Sequence, residues 1–256
     1  MTDRLSRRRL FSRSIALAAA IACPLCRPAR ADEWGYHGEH GPTHWGKLKP
    51  EFKTCSTGTL QTPIDLRAPL SGGRDLIQRD YKPMPLKIVN NGHTIQVNAA
   101  PGSSVTIEAE RYELLQFHFH HPSEHLLAGK AKSLECHFVH RNAAGKLAVI
   151  GVFYDPGAKP LAAFEPIWAA MPSQEGPERE VPGVTLALDP AFPVKHRHFR
   201  YQGSLTTPPC SEGVTWIVYA QPVAISLGQA QAFAKLFPHN ARPLQPLNRR
   251  SLLVTG

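Results

Sequence analysis

The chain has 256 residues, of which 42% are hydrophobic and 19% charged, and this composition suits one globular domain with a sizeable core. Its formal net charge of +9 is concentrated in residues 1–31, where seven arginines and one aspartate contribute +6 and leave +3 for the remainder. A remainder so weakly basic, with no basic stripe interleaved with aromatic residues, argues against nucleic acid binding. No internal stretch is apolar enough to span a membrane.

Residues 1–31 have the pattern of a signal peptide. Adjacent arginines at 7–9 precede a short apolar run at 15–22, and small residues at 29 and 31 flank a cleavage position. The arginine pair is also found in twin-arginine export signals, so that route and an ordinary secretory route both stay open, as does a lipid anchor at Cys23. Each alternative predicts a periplasmic or secreted protein.

The rest of the chain, residues 32–256, is predicted to be one domain. Residues 32–63 lack periodicity and predict an irregular segment packed on a core. Strand patterns, some alternating and some continuously apolar, occur at 86–89, 94–97, 104–107, 114–120, 134–140, 148–154, 198–205 and 214–220. Helices are predicted at 160–171 and 226–237. Because strands outnumber helices, we predict a mainly β (α+β) fold with one large, twisted, mostly antiparallel sheet and short peripheral helices.

Histidines recur on two of the predicted strands. Side chains alternate between the two faces of a strand, so His118 and His120 share a face with Gln116, and the intervening phenylalanines point into a core. On the second strand, His137 shares a face with Glu135 and Val139. Pairing of the two strands would therefore bring three imidazoles together.

Three neutral imidazoles with an open fourth position form a catalytic zinc site. The alternative is that these histidines are structural, since histidine is often partly buried without binding a metal. The third histidine and the polar residues that share its face favour the metal, and zinc is the predicted cofactor.

Six blocks of the chain resemble the α-class carbonic anhydrases in their bacterial form. The resemblance covers nearly the whole of residues 32–256, and its motifs occur in the family's order. The blocks are Trp34-Gly35-Tyr36 with Gly41-Pro42 and Trp45, Gln61 to Leu66, Asn90 to His93, the two histidine strands, Gly203 to Cys210, and Arg242 to Asn248.

The resemblance implies the reversible hydration of carbon dioxide to bicarbonate and a proton, with His118, His120 and His137 as the zinc ligands. A zinc-bound hydroxide would attack carbon dioxide. Gln116 and Glu135 resemble the residues that hold His118 and His137 from behind.

The resemblance also implies roles for residues around the metal. Thr206 would accept a hydrogen bond from the hydroxide and donate one to Glu124, which orients the nucleophile. Thr207 resembles a bicarbonate contact. Tyr36 resembles a member of the family's water network, and His93 its proton shuttle. The apolar wall that holds carbon dioxide is carried over as Val139, Val149, Leu205, Val214 and Trp216.

Two residues depart from the family's pattern. His121 stands where a small residue is usual, and alternation turns it away from zinc. Cys136 stands where leucine is usual, and it faces away from the metal as a small buried hydrophobe. Counting cysteines leaves their pairing open, but Cys55 and Cys210 match the disulfide of bacterial members.

Two rival functions belong to other classes. A zinc-less binding relative would lack zinc histidines, and all three are present here. A zinc hydrolase for esters or peptides would need a groove for a larger substrate. A homodimer is left open by the sequence.

Overall fold

The computed structural model describes residues 34–74 and 77–256, so the predicted signal peptide lies outside the described residues. The strands are β1 Asp65–Leu66, β2 Leu70–Ser71, β3 Ile77–Asp80, β4 Met84–Asn90, β5 Ile95–Asn98, β6 Ser104–Ile107, β7 Glu110–His120, β8 Leu126–Leu127, β9 Leu134–Asn142, β10 Leu147–Gly157, β11 Arg179–Leu186, β12 His198–Ser204, β13 Glu212–Tyr219, β14 Val223–Ser226 and β15 Leu253–Thr255. The α-helices are α1 Trp45–Leu48, α2 Thr54–Thr57, α3 Glu165–Ala169 and α4 Leu227–Leu236.

One large mixed sheet dominates the fold. Its main path runs β11-β4-β5-β7-β9-β10-β13-β12-β15-β2, with β14 beside β10, and β3 and β6 attached to β7. Most neighbours are antiparallel, whereas β10 runs parallel to β13 and β14, and β15 runs parallel to β2. The mainly β, mostly antiparallel prediction is confirmed.

The centre of the sheet is buried on both faces. The predicted alternation is clear in β4, where buried and partly exposed residues alternate throughout, but every residue from Leu134 to His140 in β9 is buried. One face of the sheet packs against a large aromatic and aliphatic core, and the other packs against a smaller cluster around Trp216. Strands β7, β9 and β10 therefore hold their side chains in fixed positions on both sides.

The two predicted helices have different outcomes. Helix α4 matches the prediction, and Ser226 caps it by accepting a hydrogen bond from Gln229 N–H at 3.1 Å. The helix predicted over 160–171 is shorter: a 3-10 turn at Ala162–Phe164 leads into α3. Leu161 is extended because its backbone N–H and C=O both bond to the Gln229 side chain. Among helices of the described segments, none has the length and hydropathy to cross a bilayer.

The opening segment packs as expected despite its irregular sequence. Trp34, Trp45 and Phe52 form a third buried cluster, to which the disulfide between Cys55 and Cys210 also belongs. The predicted pairing of cysteines is thus confirmed. Cys136 is a fully buried free thiol in the large core, as predicted.

Candidate metal centre

The register between β7 and β9 brings the predicted histidines together. His118 lies directly opposite His137, and His120 lies opposite Glu135. A register shift between Leu114 and Gln116 separates this pairing from the first half of β7. Because neighbouring side chains alternate between faces, the opposed pairs Phe117 with Phe138 and Phe119 with Cys136 point to the other side.

The three histidines converge on one point. His118, His120 and His137 each offer a ring nitrogen, and these nitrogens all lie within 4.8 Å of one another. His120 and His137 are almost fully buried, with 1% exposure each. The Nε2 atom of His120 is buried without a hydrogen-bond partner among the described residues, which is costly unless another ligand engages it.

The second nitrogen of each ring is held by an oxygen acceptor. His118 Nδ1 lies 2.8 Å from Gln116 Oε1, and His137 Nε2 lies 2.9 Å from Glu135 Oε1. His120 Nδ1 lies 2.7 Å from the backbone carbonyl of Asn240. Since these oxygens accept, each of those nitrogens carries the proton. The lone pairs of His118 Nε2, His120 Nε2 and His137 Nδ1 are therefore the ones turned toward the shared point.

Burial keeps the first two rings neutral. It lowers the pKa of His118 well below its usual range, and the nearby imidazoles of His120 and His137 lower it further. Burial also lowers the pKa of His120, although the charge of Glu124 opposes this effect. Neutral imidazole is the form that binds zinc, and three such nitrogens with one further position fit a tetrahedral zinc ion.

Glu135 lies at the centre of a buried hydrogen-bond chain behind the cluster. Its carboxylate accepts from His125 Nδ1 at 2.7 Å, and the His125 Nε2 atom lies 2.7 Å from the hydroxyl of Tyr201. Burial alone would raise the pKa of Glu135, but its electrostatic interactions and hydrogen bonds with His125 and His137 hold it well below its usual range. His125, Glu135 and His137 also lie close enough to hold a metal, but they are already hydrogen-bonded to one another.

A glycine on the neighbouring strand makes room for this carboxylate. Gly151 of β10 is paired with His137, and a Cβ atom there would lie 2.9 Å from Glu135 Oε1. A glycine inside an apolar strand is the sequence signal of such a close approach.

Glu124 lies beside the cluster, but its contacts differ from those predicted. Its Oε1 accepts from the backbone N–H of Arg242 at 2.8 Å, while Oε2 lies 3.5 Å from His120 Nε2 and has no hydrogen-bond partner among the described residues. The expected bond from Thr206 to Glu124 is therefore absent from this structure, because the carboxylate is turned toward the imidazoles. Thr206 is buried in the bend after β12, and Thr207 is partly exposed there.

The charge of Glu124 affects the pKa of two nearby residues. Burial and the charge of Glu124 raise the pKa of Tyr36 well above its usual value. Burial lowers the pKa of Arg242 to about 10, with Glu124 opposing the shift. The Arg242 guanidinium donates to the backbone carbonyls of Thr62 and Cys55 at 2.7 and 3.0 Å, which joins the opening segment to the site.

The residues of the predicted apolar wall belong to one cluster on the metal side of the sheet. Val149 is paired with Val139 on β9 and with Trp216 on β13, and the Trp216 ring centroid lies 4.8 Å from that of His137. Four of the five are buried, and Leu205 packs against them while partly exposed. The cluster includes Val139, Val149, Leu205, Val214 and Trp216.

His93 lies in the turn between β4 and β5, outside the strands that bear the three clustered histidines. Its ring stacks on that of Trp34, with centroids 3.7 Å apart and planes 6° apart. The residue is only 6% exposed, so it is not an open surface turn. His121 is turned away from the cluster, with its Nδ1 3.0 Å from the carbonyl of Pro238.

Comparison with known proteins identifies the fold. The family described as "Eukaryotic-type carbonic anhydrase" matches residues 40–255. The chain belongs to the α-class carbonic anhydrase family. Carbonic anhydrases act on carbon dioxide and bicarbonate, and this assigns the chain to an enzyme class.

Three relatives show how far the carbonic anhydrase likeness extends. A carbonic anhydrase from Nostoc sp. is 43% identical over 99% of both chains, and one from Pectobacterium carotovorum is 41% identical over 93% of this chain and 98% of that one. The structure of the α-carbonic anhydrase from Thermovibrio ammonificans with the inhibitor sulfanilamide superposes with a TM-score of 0.83 at 41% identity, covering 86% of this chain and 98% of that one.

Several residues of this carbonic anhydrase site had no role in the sequence-based prediction. Asn240 carries no signal of its own, because it lies in an irregular segment after α4. His125 and Arg242 belong to recognised motifs, but only the structure shows that they bond to Glu135 and Glu124.

Proposed function

We propose that the chain catalyses the reversible hydration of carbon dioxide to bicarbonate and a proton, with zinc held by His118, His120 and His137. The observation that carries the proposal is the set of three imidazoles whose outer nitrogens are all bonded to acceptors, leaving three lone pairs convergent. A bound zinc ion supplies a nucleophile from water near neutral pH.

The apolar wall binds the linear, uncharged substrate. Val139, Val149 and Trp216 lie on adjacent strands beside His137. Their side chains give that side of the site an apolar surface. Val214 and Leu205 extend the wall. An apolar surface next to a polar cluster places carbon dioxide without fixing it strongly, which suits rapid turnover.

Thr206 and Thr207 serve the polar side of the reaction. Thr206 is buried at the end of β12, where its hydroxyl is the group to orient the attacking oxygen, and Glu124 is the acceptor that would fix that hydroxyl. Thr207 contacts bicarbonate. Arg242 N–H holds the far oxygen of Glu124 at 2.8 Å, so the carboxylate is already anchored on one side.

His93 carries the proton to solvent. Imidazole suits this step because its ordinary pKa lies near neutrality. The residue lies outside the zinc strands on a turn that is anchored by Trp34, and Tyr36 from the same segment lies near Glu124. Water connects His93 to the metal in this proposal.

The protein acts outside the cytoplasm. Residues 1–31 are proposed to direct export, and the disulfide between Cys55 and Cys210 is the type of bond that persists in an oxidising compartment. The expected location is the periplasm or the exterior of the cell.

Two measurements on zinc-loaded mature protein test the function. Metal analysis should find one zinc per chain, and a stopped-flow assay should detect carbon dioxide hydration. Zinc without hydration would contradict the proposed reaction, and hydration without zinc would contradict the proposed cofactor.

Variants of His93 and Thr206 separate the two halves of the reaction. His93→Ala should lower kcat in weak buffer by about tenfold while kcat/KM stays nearly unchanged, and added imidazole should restore the rate. Thr206→Ala should lower both parameters without rescue. His196→Ala, which removes an exposed histidine, is the control. Full kcat for His93→Ala in weak buffer would assign the shuttle to another residue.

A further inference from the structure

Asn240 connects two parts of the site that are far apart in sequence. It is only 2% exposed and lies shortly after α4. Its backbone exchanges bonds with β7, since the carbonyl is 2.7 Å from His120 Nδ1 and the N–H donates to His121 O at 3.0 Å. Its side chain reaches further, to the turn that carries His93.

All of the main hydrogen-bonding positions of the Asn240 side chain are in use. Its Nδ2 donates to the carbonyl of His93 at 2.9 Å and to that of Phe119 at 3.0 Å, and its Oδ1 accepts from His121 N–H at 2.7 Å. A primary amide can donate twice and accept at the same time, which neither a carboxylate nor an apolar side chain of the same shape can do.

Several contacts fix the His93 turn. Asn91 Oδ1 accepts from the N–H groups of His93 and Thr94, both at 3.0 Å, and Trp34 stacks on the imidazole. The carbonyl of His93 is held by Asn240. The Thr94 hydroxyl links the next residue to the end of β7, donating to the Phe119 carbonyl at 2.6 Å and accepting from the Phe119 N–H at 3.2 Å. Asn240 acts on His93 itself, because its one amide bridges the carbonyls of His93 and Phe119.

We propose that the Asn240 side-chain amide is a positioning residue for proton transfer, acting by holding the His93 turn in register with the end of β7. The inference rests on the proposed role of His93 as the shuttle. It assigns the side chain a task separate from that of the Asn240 carbonyl, which orients His120. A displacement of about 1 Å can lower a rate a hundredfold, so the register of the turn matters for a proton path through water.

The substitution Asn240→Asp tests this separation. It keeps the backbone carbonyl and an oxygen that accepts from His121 N–H, but it removes both donors and sets a carboxylate against the carbonyls of His93 and Phe119. Zinc stoichiometry should stay at the parent level. We expect kcat in weak buffer to fall about tenfold, kcat/KM to change less than about twofold, and imidazole to restore the rate. Asn240→Ser, which retains one donor, should lie between the parent and Asn240→Asp.

A matched control measures the general effect of introducing a carboxylate at a buried asparagine. Asn142 is 7% exposed at the far end of β9, where its Nδ2 donates to Glu110 at 2.6 Å and its Oδ1 accepts from Lys146 N–H at 2.7 Å. Asn142→Asp should lower stability without separating kcat from kcat/KM. The double variant His93→Ala/Asn240→Asp should be no slower in weak buffer than His93→Ala alone, because both changes act on one step.

A structural readout does not depend on the shuttle. The Cε1–H proton resonance of His93, assigned by its loss in His93→Ala, is shifted by the ring of Trp34 and should move toward the free imidazole position in Asn240→Asp and partway in Asn240→Ser. An unmoved resonance, unchanged kcat, or equal losses of kcat and kcat/KM in these variants would overturn the inference. If instead His93→Ala keeps full kcat while the resonance moves, the shuttle assignment fails and Asn240 positions the turn without serving proton transfer.

Discussion

His137 and His140 lie three residues apart on β9, and both are buried, but they point to opposite faces of the sheet. His137 lies among imidazoles and carboxylates, with Glu135 at 2.9 Å and the ring of His120 4.5 Å away between centroids. His140 lies in the large core, where its Nε2 is 2.8 Å from the hydroxyl of Tyr81 and its ring stacks with that of Tyr81.

The comparison shows that neighbours, not residue type or burial, distinguish a candidate ligand from a core histidine. A ligand needs an acceptor on its outer nitrogen and other ligands facing its inner nitrogen. Among the described residues, His140 belongs to neither group of histidines and carboxylates that could hold a metal, and burial lowers its pKa to about 4. It therefore stays neutral as part of the core.

The largest expected effect is the loss of zinc and activity when His137 is replaced. His137→Ala should lose zinc and reduce carbon dioxide hydration by more than the roughly 100-fold that removal of an outer partner can cost. His140→Leu should retain one zinc per chain. The measurements are metal content of the purified variants and stopped-flow hydration. Full zinc occupancy in His137→Ala would refute its assignment as a ligand.

The pH dependence of the free energy of unfolding tests the assignment of His140 to the core. The pKa of His140 falls from 6.5 to about 4 on folding, so below pH 6.5 the unfolded chain binds a proton that the folded chain does not. Stability is therefore lost as pH falls through 6.5 toward 4, by about 2 kcal/mol between pH 7.5 and pH 5 for this group.

The double variant Tyr81→Phe/His140→Leu isolates this contribution, because it removes both partners of one buried hydrogen bond. Its free energy of unfolding, measured by denaturant titration at several pH values, should fall less between pH 7.5 and pH 5 than that of the parent. Equal slopes for the two proteins would mean that His140 does not resist protonation.

The smallest expected effect concerns Cys136, which is fully buried and paired with Phe119 on β7 and Val152 on β10. Cys136→Ala should lower the free energy of unfolding by about 1 kcal/mol, because it leaves a small cavity. Zinc content should not change, since the side chain faces away from the ligands. Loss of zinc in this variant would show that the two faces are not independent.

Alternation along the strands is enough to predict which candidate ligands share a face. The period of two places His118 and His120 on one face, and His137 and Glu135 on one face of the next strand, whatever the rest of the fold does. It also correctly turned Cys136 into the core. The helix predicted over 160–171 failed in its first residues because Gln229, remote in sequence, bonds to Leu161 and holds it extended.

The sequence by itself determined which residue types share a face, where eight of the fifteen strands in the described residues fall, and to which family the motifs are similar. Only the tertiary structure decided that His118 lies opposite His137, that Asn240 joins His120 to the His93 turn, and that Glu124 bonds to the backbone of Arg242. The physical reason is the distance along the sequence over which each interaction acts. Side-chain alternation is a local property of the backbone, whereas these hydrogen bonds join residues up to 147 positions apart, and their partners are chosen by packing.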